Sequence, residues 1–302
     1  MKRIYAVLVL AICSFNLYGL EVTFGIRPSP IKYSTELKEK AEEGDSEAQV
    51  NLGWCYFDGK GIDRDYKKAA SWFQKAADQN NPWGELNLAI CFKEGKGVPK
   101  NLLKAFEYFE KSAKQENAKA QFALAQCYKK GWGTKSNESE SFRYYQKSAE
   151  NGNSCAQNIV GVAYFTGNKV SKNLDEAFMW FEKSAEGECE QGQCNLSKLY
   201  ASGVGVQKDE KKAFYWAKKS AEQNDSESQY LVGKSFLEGK GVSRNSEQAV
   251  YWFRKGAENG DEDACASLSL CYLTGTGVEK NLEESKKWKE KGENISKHNR
   301  PT

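Results

Sequence analysis

The sequence predicts an all-α solenoid of seven 36-residue helix pairs, preceded by one cap helix. Three observations predict it. Gly59, Gly95, Gly131, Gly167, Gly203, Gly239 and Gly275 recur every 36 residues without an insertion. Two aromatic columns keep the same period: Trp72, Tyr108, Tyr144, Trp180, Trp216, Trp252 and Trp288, and Tyr56, Phe92, Tyr128, Tyr164, Tyr200, Phe236 and Tyr272. A small-residue column runs in phase with them: Ala69, Ala105, Ser141, Ala177, Ala213, Ala249 and Ser285. Self-similarity at a fixed period of this length marks an architecture in which each unit buries its apolar surface against the next.

Residues 1–19 come first. Lys2 and Arg3 precede an apolar run, Ile4 to Phe15, that is too short to span a bilayer comfortably. This predicts a secretory signal peptide cut near Gly19, and a mature chain that is secreted or periplasmic. Two other readings stand beside it: lipid attachment at Cys13, against which the bulky Ile12 speaks, and an uncleaved membrane anchor. No later segment is apolar enough to cross a membrane. Residues 20–33, with Pro28 and Pro30, read as a linker. Residues 34–43 align with the second half of a unit and form the cap helix. The solenoid covers 34–293, with repeats from about 45, and 294–302 is a tail.

Each unit divides into two helices. In the first, Ala48, Leu52 and Tyr56 form a stripe spaced by four. Gly59 ends that helix, because glycine accepts the left-handed conformation. A second glycine follows two places later in every unit except at Lys169. The second helix carries Ala69, Trp72, Phe73, Ala76 and Ala77. Asp65, Asn101, Asn137, Asn173, Asp209, Asn245 and Asn281 precede the second helices as N-caps. Asp45, Asn81, Asn117, Asn153, Asp225 and Asp261 precede the first helices, with Cys189 as the one departure. Lys286 and Lys289 replace apolar residues in the last unit, as suits a terminal cap.

Composition excludes several functions. The chain has 302 residues, 28% of them charged, and a net charge of +3, too near neutral to suggest a nucleic-acid binder. Its single histidine, His298, removes Ser-His-Asp triads, Cys-His dyads and His-ligated zinc. The Gly-x-Gly loops join helix to helix, so they read as helix stops and not as phosphate cradles, which follow a strand. The one Ser-x-x-Lys, Ser29 to Lys32, lies in the linker without a Lys-Thr-Gly or Ser-Asp-Asn partner. Paired carboxylates such as Glu42/Glu43 sit at helix ends, where a solvated charge is ordinary. No catalytic residue, metal site or cofactor is expected.

The run LGWCYFDGKGIDRDYKKAASWFQKAA, residues 52–77, resembles the Sel-one-like repeat, a relative of the tetratricopeptide repeat, and the resemblance extends over residues 34–293. It implies a right-handed superhelix whose first helices line a concave groove, and a scaffold or adaptor role. Members serve in protein quality control, bacterial envelope and host interactions, and signalling. A cysteine-rich secreted branch is credited with penicillin binding and β-lactamase activity. That branch pairs a cysteine ending one unit with one early in the next; here Cys265 fits the second place but Ala257 fills the first.

Cys55, Cys91, Cys127 and Cys271 share a first-helix column that elsewhere holds Ala163, Leu199 and Ser235, which predicts buried thiols. Neighbours in one column stand roughly 8–10 Å apart, beyond the ~7 Å Cα limit of a disulfide. Cys155, Cys189 and Cys194 lie near the starts of successive first helices, and an oxidising compartment allows at most one bridge, from Cys155 to Cys189 or Cys194. A three-thiol metal site is the weaker reading.

If the tetratricopeptide geometry carries over, one face of the first helices lines the groove. Val50, Trp54, Trp83, Leu86, Ile90 and Phe122 then form an apolar cluster beside Lys119, Lys129 and Lys130. Large apolar patches of this kind mark partner sites. The expected function is an exported, monomeric, non-enzymatic scaffold binding a protein or peptide in the groove. A cell-envelope hydrolase and a secretory-pathway adaptor are the alternatives. Asn137, Asn195, Asn224 and Asn294 each begin a short glycosylation sequon compatible with the latter.

Overall fold

The structure, a computed structural model, describes residues 32–298. The expected signal segment 1–19 and all but the end of the linker lie outside the described residues. Fifteen α-helices and no strand occur among the described residues. The cap helix α1 is Thr35–Glu42. The pairs follow as α2 Ser46–Asp58 and α3 Tyr66–Asp78, α4 Pro82–Glu94 and α5 Leu102–Lys114, α6 Ala118–Lys130 and α7 Glu138–Glu150. They continue as α8 Ser154–Thr166 and α9 Leu174–Glu186, α10 Glu190–Ser202 and α11 Glu210–Glu222, α12 Ser226–Glu238 and α13 Ser246–Glu258, α14 Glu262–Thr274 and α15 Leu282–His298.

Local chemistry sets these boundaries. Asp45 accepts from the Ala48 amide at 2.7 Å, and Asp65 from the Lys68 amide at 3.0 Å. Asn, Asp or Ser fills the same role at other helix starts, each cap contributing about 1 kcal/mol. Cys189 makes no side-chain cap bond. Gly59 closes α2 in the left-handed region (φ 72°), its amide donating to the Cys55 carbonyl. The second glycine answers a steric need as well: a Cβ on Gly97 (φ 74°) would stand 1.9 Å from the Tyr66 carbonyl oxygen of the preceding second helix. The last helix continues to His298, so the segment expected as a tail from 294 begins as helix. No Gly or Pro interrupts residues 293–298, and Ile295 packs against the core of its unit.

The chain forms two compact units, divided within α8 after Ala156. In the unit ending at Ala156, each helix from α1 to α7 packs on its sequence neighbours. Phe73, Phe109, Leu86, Leu88 and Leu124 are fully buried in its core. Burial of each such side chain contributes about 1.5–3 kcal/mol. In the unit from Gln157, helices α9 to α15 pack in the same sequential way. Phe165, Phe181, Leu196 and Leu199 form one part of its core, and Phe253, Leu268 and Trp288 another.

Candidate functional site

The first-helix face is built from positions three and four apart on the first helix of each pair. In the unit ending at Ala156 it does not carry the expected open apolar cluster. Val50, Trp54, Leu86, Ile90 and Phe122 are all buried, at 0–6% exposure. The Trp54 ring stands edge-on to Phe57 at 5.3 Å and to Phe73 of α3 at 5.7 Å. Phe122 meets Tyr145 of α7 edge-on at 5.4 Å. These rings are long enough to lie against the second helix of their own pair, so they add core and not a free anchor surface. Trp83 alone of the six is exposed, at 40%.

The expected cations keep more of their surface. Lys129 and Lys130 are exposed and Lys119 is half-buried. Burial lowers the Lys119 amine to about 8. The Lys130 and Lys93 ammonium groups lie 4.5 Å and 4.8 Å from the centre of the Trp132 ring, a cation–π arrangement that holds both near one aromatic face.

The bridge expected from Cys155 to Cys189 or Cys194 would join the two compact units and stays an expectation. Cys189 and Cys194 are buried and Cys155 is half-buried. Cys194 Sγ lies 3.8 Å from Glu227 Oε2, and burial pushes its thiol well above the usual range. Cys91 and Cys127 are pushed up to about 12 by burial, as befits core thiols. No cluster of metal-ligating side chains occurs among the described residues.

In the unit from Gln157 the same face is different. Leu270 and Leu273 of α14 are 57% and 46% exposed. They occupy the register that Trp54 and Phe57 hold in α2. Tyr230 and Leu237 of α12 are half-buried against the core nearby. Lys234 of α12 is exposed, its ammonium 5.8 Å from the Tyr230 ring centre. Lys198 of α10 pairs with Glu227 of α12 and ties these two first helices together. The arrangement offers leucine anchors and a cation on rigid helices, which suits an apolar segment bearing negative charge. Sequence reasoning missed it because it weighed apolar density, which is highest in the first three repeats. The available signal was the register: Leu270 and Leu273 have no ring to fold back with.

The Sel1 repeat family profile matches residues 46–81, 84–117, 118–153, 156–189, 191–225, 226–261 and 262–292. A solved Sel1 repeat protein from Oxalobacter formigenes is similar to this chain at 30% identity and a TM-score of 0.69, covering 81% of this chain and 96% of that one. A protective antigen of uropathogenic Escherichia coli with this fold is 31% identical with a TM-score of 0.70, covering 85% of this chain but 56% of that one. The secretory immunoglobulin A-binding protein EsiB of Escherichia coli is 44% identical over 41 residues, 14% of this chain and 8% of its own length. This chain therefore spans little more than half of the antigen and a small part of the immunoglobulin-binding protein.

Proposed function

Because the chain belongs to the Sel1 repeat family, whose members are generally protein–protein interaction scaffolds, we propose that it is an exported, non-enzymatic scaffold holding a peptide segment on its first-helix face. The observation that carries this is the pair Leu270 and Leu273, more than 45% exposed beside Lys234 on adjoining first helices. Exposed leucines on a rigid helix lose little freedom on contact, and a nearby cation selects for acidic company. Trp83 with Lys129 and Lys130 is the corresponding lesser contact in the other unit. The basic and apolar start of the chain, residues 1–19, supports export, as does the likeness to an antigen of a uropathogen. No helix among the described residues is long and apolar enough to cross a membrane.

A random-peptide display selection on the purified chain tests the reading. The expected winners combine leucine or aromatic anchors with Asp or Glu, and lose binding to a Leu270→Asp, Leu273→Asp variant. Selection of basic peptides, or of winners indifferent to the variant, would contradict it. Hydrolysis of nitrocefin by the purified chain would overturn the non-enzymatic part. Export is checked by the N-terminal residue of the chain recovered from periplasm or medium, expected near residue 20.

A further inference from the structure

One column of the repeat is broken in a way that leaves space. Phe73, Phe109, Tyr145, Phe181 and Phe253 place an aromatic ring at the same point of five second helices, and all five are buried. In α11 that position is Ala217. In three of the other repeats the ring lies on a first-helix glycine: a Cβ on Gly53, Gly161 or Gly233 would come within 2.5 Å, 2.9 Å or 2.6 Å of Phe73, Phe181 or Phe253. Opposite Ala217 the matching residue is Ser197, whose Oγ donates to the Ala213 carbonyl at 2.8 Å. The serine takes up part of the vacated volume, and a cavity of about 200 Å³, open to solvent on its charged side, reaches Ser197, Ala213, Ala217 and Leu231. An enclosed apolar cavity of about 150 Å³ accepts a benzene ring, so the volume of this open cavity admits one ring.

The mouth of the cavity is cationic. Lys198, Lys208, Lys234 and Lys240 line it, against Glu210 and Glu238. Lys208 pairs with Glu210, Lys240 with Glu238, and Lys198 with Glu227. Lys234 makes no ion pair with any described residue and stays exposed at the rim. A ring-sized open cavity with alanine and leucine on its inner wall and one ammonium at its edge that no carboxylate pairs has a definite chemical complement.

We propose that the cavity between α10, α11 and α12 is a specificity pocket for an aromatic ring with a carboxylate close by, supplied by an aromatic residue next to Asp or Glu in a partner polypeptide. The guest ring completes the broken aromatic column and its carboxylate meets Lys234. This rests on the scaffold reading of the same face, and names the side chain that the face selects.

The test titrates the full chain with 3-phenylpropionate, the smallest molecule that carries both features, and follows the Ser197 and Ala217 amide resonances. Saturable shifts are expected below about 10 mM, a weak site by the usual scale. The neutral 3-phenylpropionamide should bind about fivefold more weakly, the size of one exposed ion pair, and ring-free propionate, which leaves the cavity unfilled, at least as weakly. Ala217→Phe with Ser197→Ala refills the column as Phe109 and Ala89 do in the second repeat, and should abolish the shifts in a folded chain. Lys234→Glu, at an exposed position that leaves folding untouched, should weaken the acid and not the amide. A capped Phe-Glu peptide should bind more tightly than the free acid; the reverse order overturns a polypeptide source. No saturation, equal binding of acid and amide, or unchanged binding to the refilled variant overturns the pocket. None of these results depends on Leu270 and Leu273, so failure here is distinguishable from failure of the scaffold reading.

Discussion

Gln115 Nε2 donates to Glu85 Oε2 at 2.8 Å. The same link recurs through the chain, but to a glutamine acceptor: Gln79 donates to Gln49 at 2.9 Å, Asn151 to Gln121 at 3.0 Å, Gln223 to Gln193 at 2.9 Å and Asn259 to Gln229 at 2.9 Å. Each of these glutamines also donates backwards, Gln49 to the Ala41 carbonyl and Gln121 to the Ala113 carbonyl, so one amide ties three successive helices. An ionised Glu85 has no N–H for the second bond, and burial raises its pKa.

Glu85→Gln is therefore expected to stabilise the fold by about 1–2 kcal/mol near neutral pH, adding one buried hydrogen bond and removing one buried charge. The folded pKa is raised above the unfolded one. The stabilising contribution of Glu85 is thus full below the unfolded pKa, and is lost as pH rises through the folded value. Denaturation at acid and neutral pH should show the variant's advantage growing with pH. An advantage that is constant or shrinks with pH contradicts the bonding scheme.

The two tryptophans of the first-helix face should behave oppositely. Trp54→Ala empties a core site and is expected to cost roughly 3–5 kcal/mol. Trp83 is 40% exposed, and Trp83→Ala should stay within about 1 kcal/mol of the parent. Chemical denaturation of the two single variants decides this; equal losses would put Trp83 in the core.

Glycine positions separate conformational strain from steric contact. A Cβ on Gly152 (φ 88°) would meet nothing within 4 Å, whereas one on Gly97 (φ 74°) would stand 1.9 Å from a carbonyl oxygen. Gly152→Ala should cost about 1–2 kcal/mol, the left-handed penalty alone. Gly97→Ala should cost roughly 3 kcal/mol or more, because the packed helix start must also shift. Similar melting temperatures for the two variants would show that the loop of the second repeat does not press on α3.

Much of this fold was legible because its determinants are local and repeated. Gly59 and Asp65 act through their own backbone neighbourhood, and seven in-phase copies remove the ambiguity of any one. The exposure of a side chain is not local. Trp54 and Leu270 share a register, yet Phe73 lies beside the first and takes it into the core, while Leu270 stays exposed at 57%. The glutamine column went unread because an amide inside an apolar helix is visible in sequence only as a polar interruption. The cavity at Ala217 could have been found from the same columns, by asking which ring is missing and not only which rings recur.

The central claim is that the α12 and α14 face binds a peptide through Leu270 and Leu273. It is tested most directly by the dissociation constant of one display-selected peptide, measured by fluorescence anisotropy against three folded forms. Leu270→Asp with Leu273→Asp should weaken binding about tenfold or more, as loss of buried anchors does. Leu103→Asp, at a leucine 58% exposed on the second helix α5, should leave it unchanged. Equal affinity for all three forms, or a larger loss at Leu103, would contradict the account.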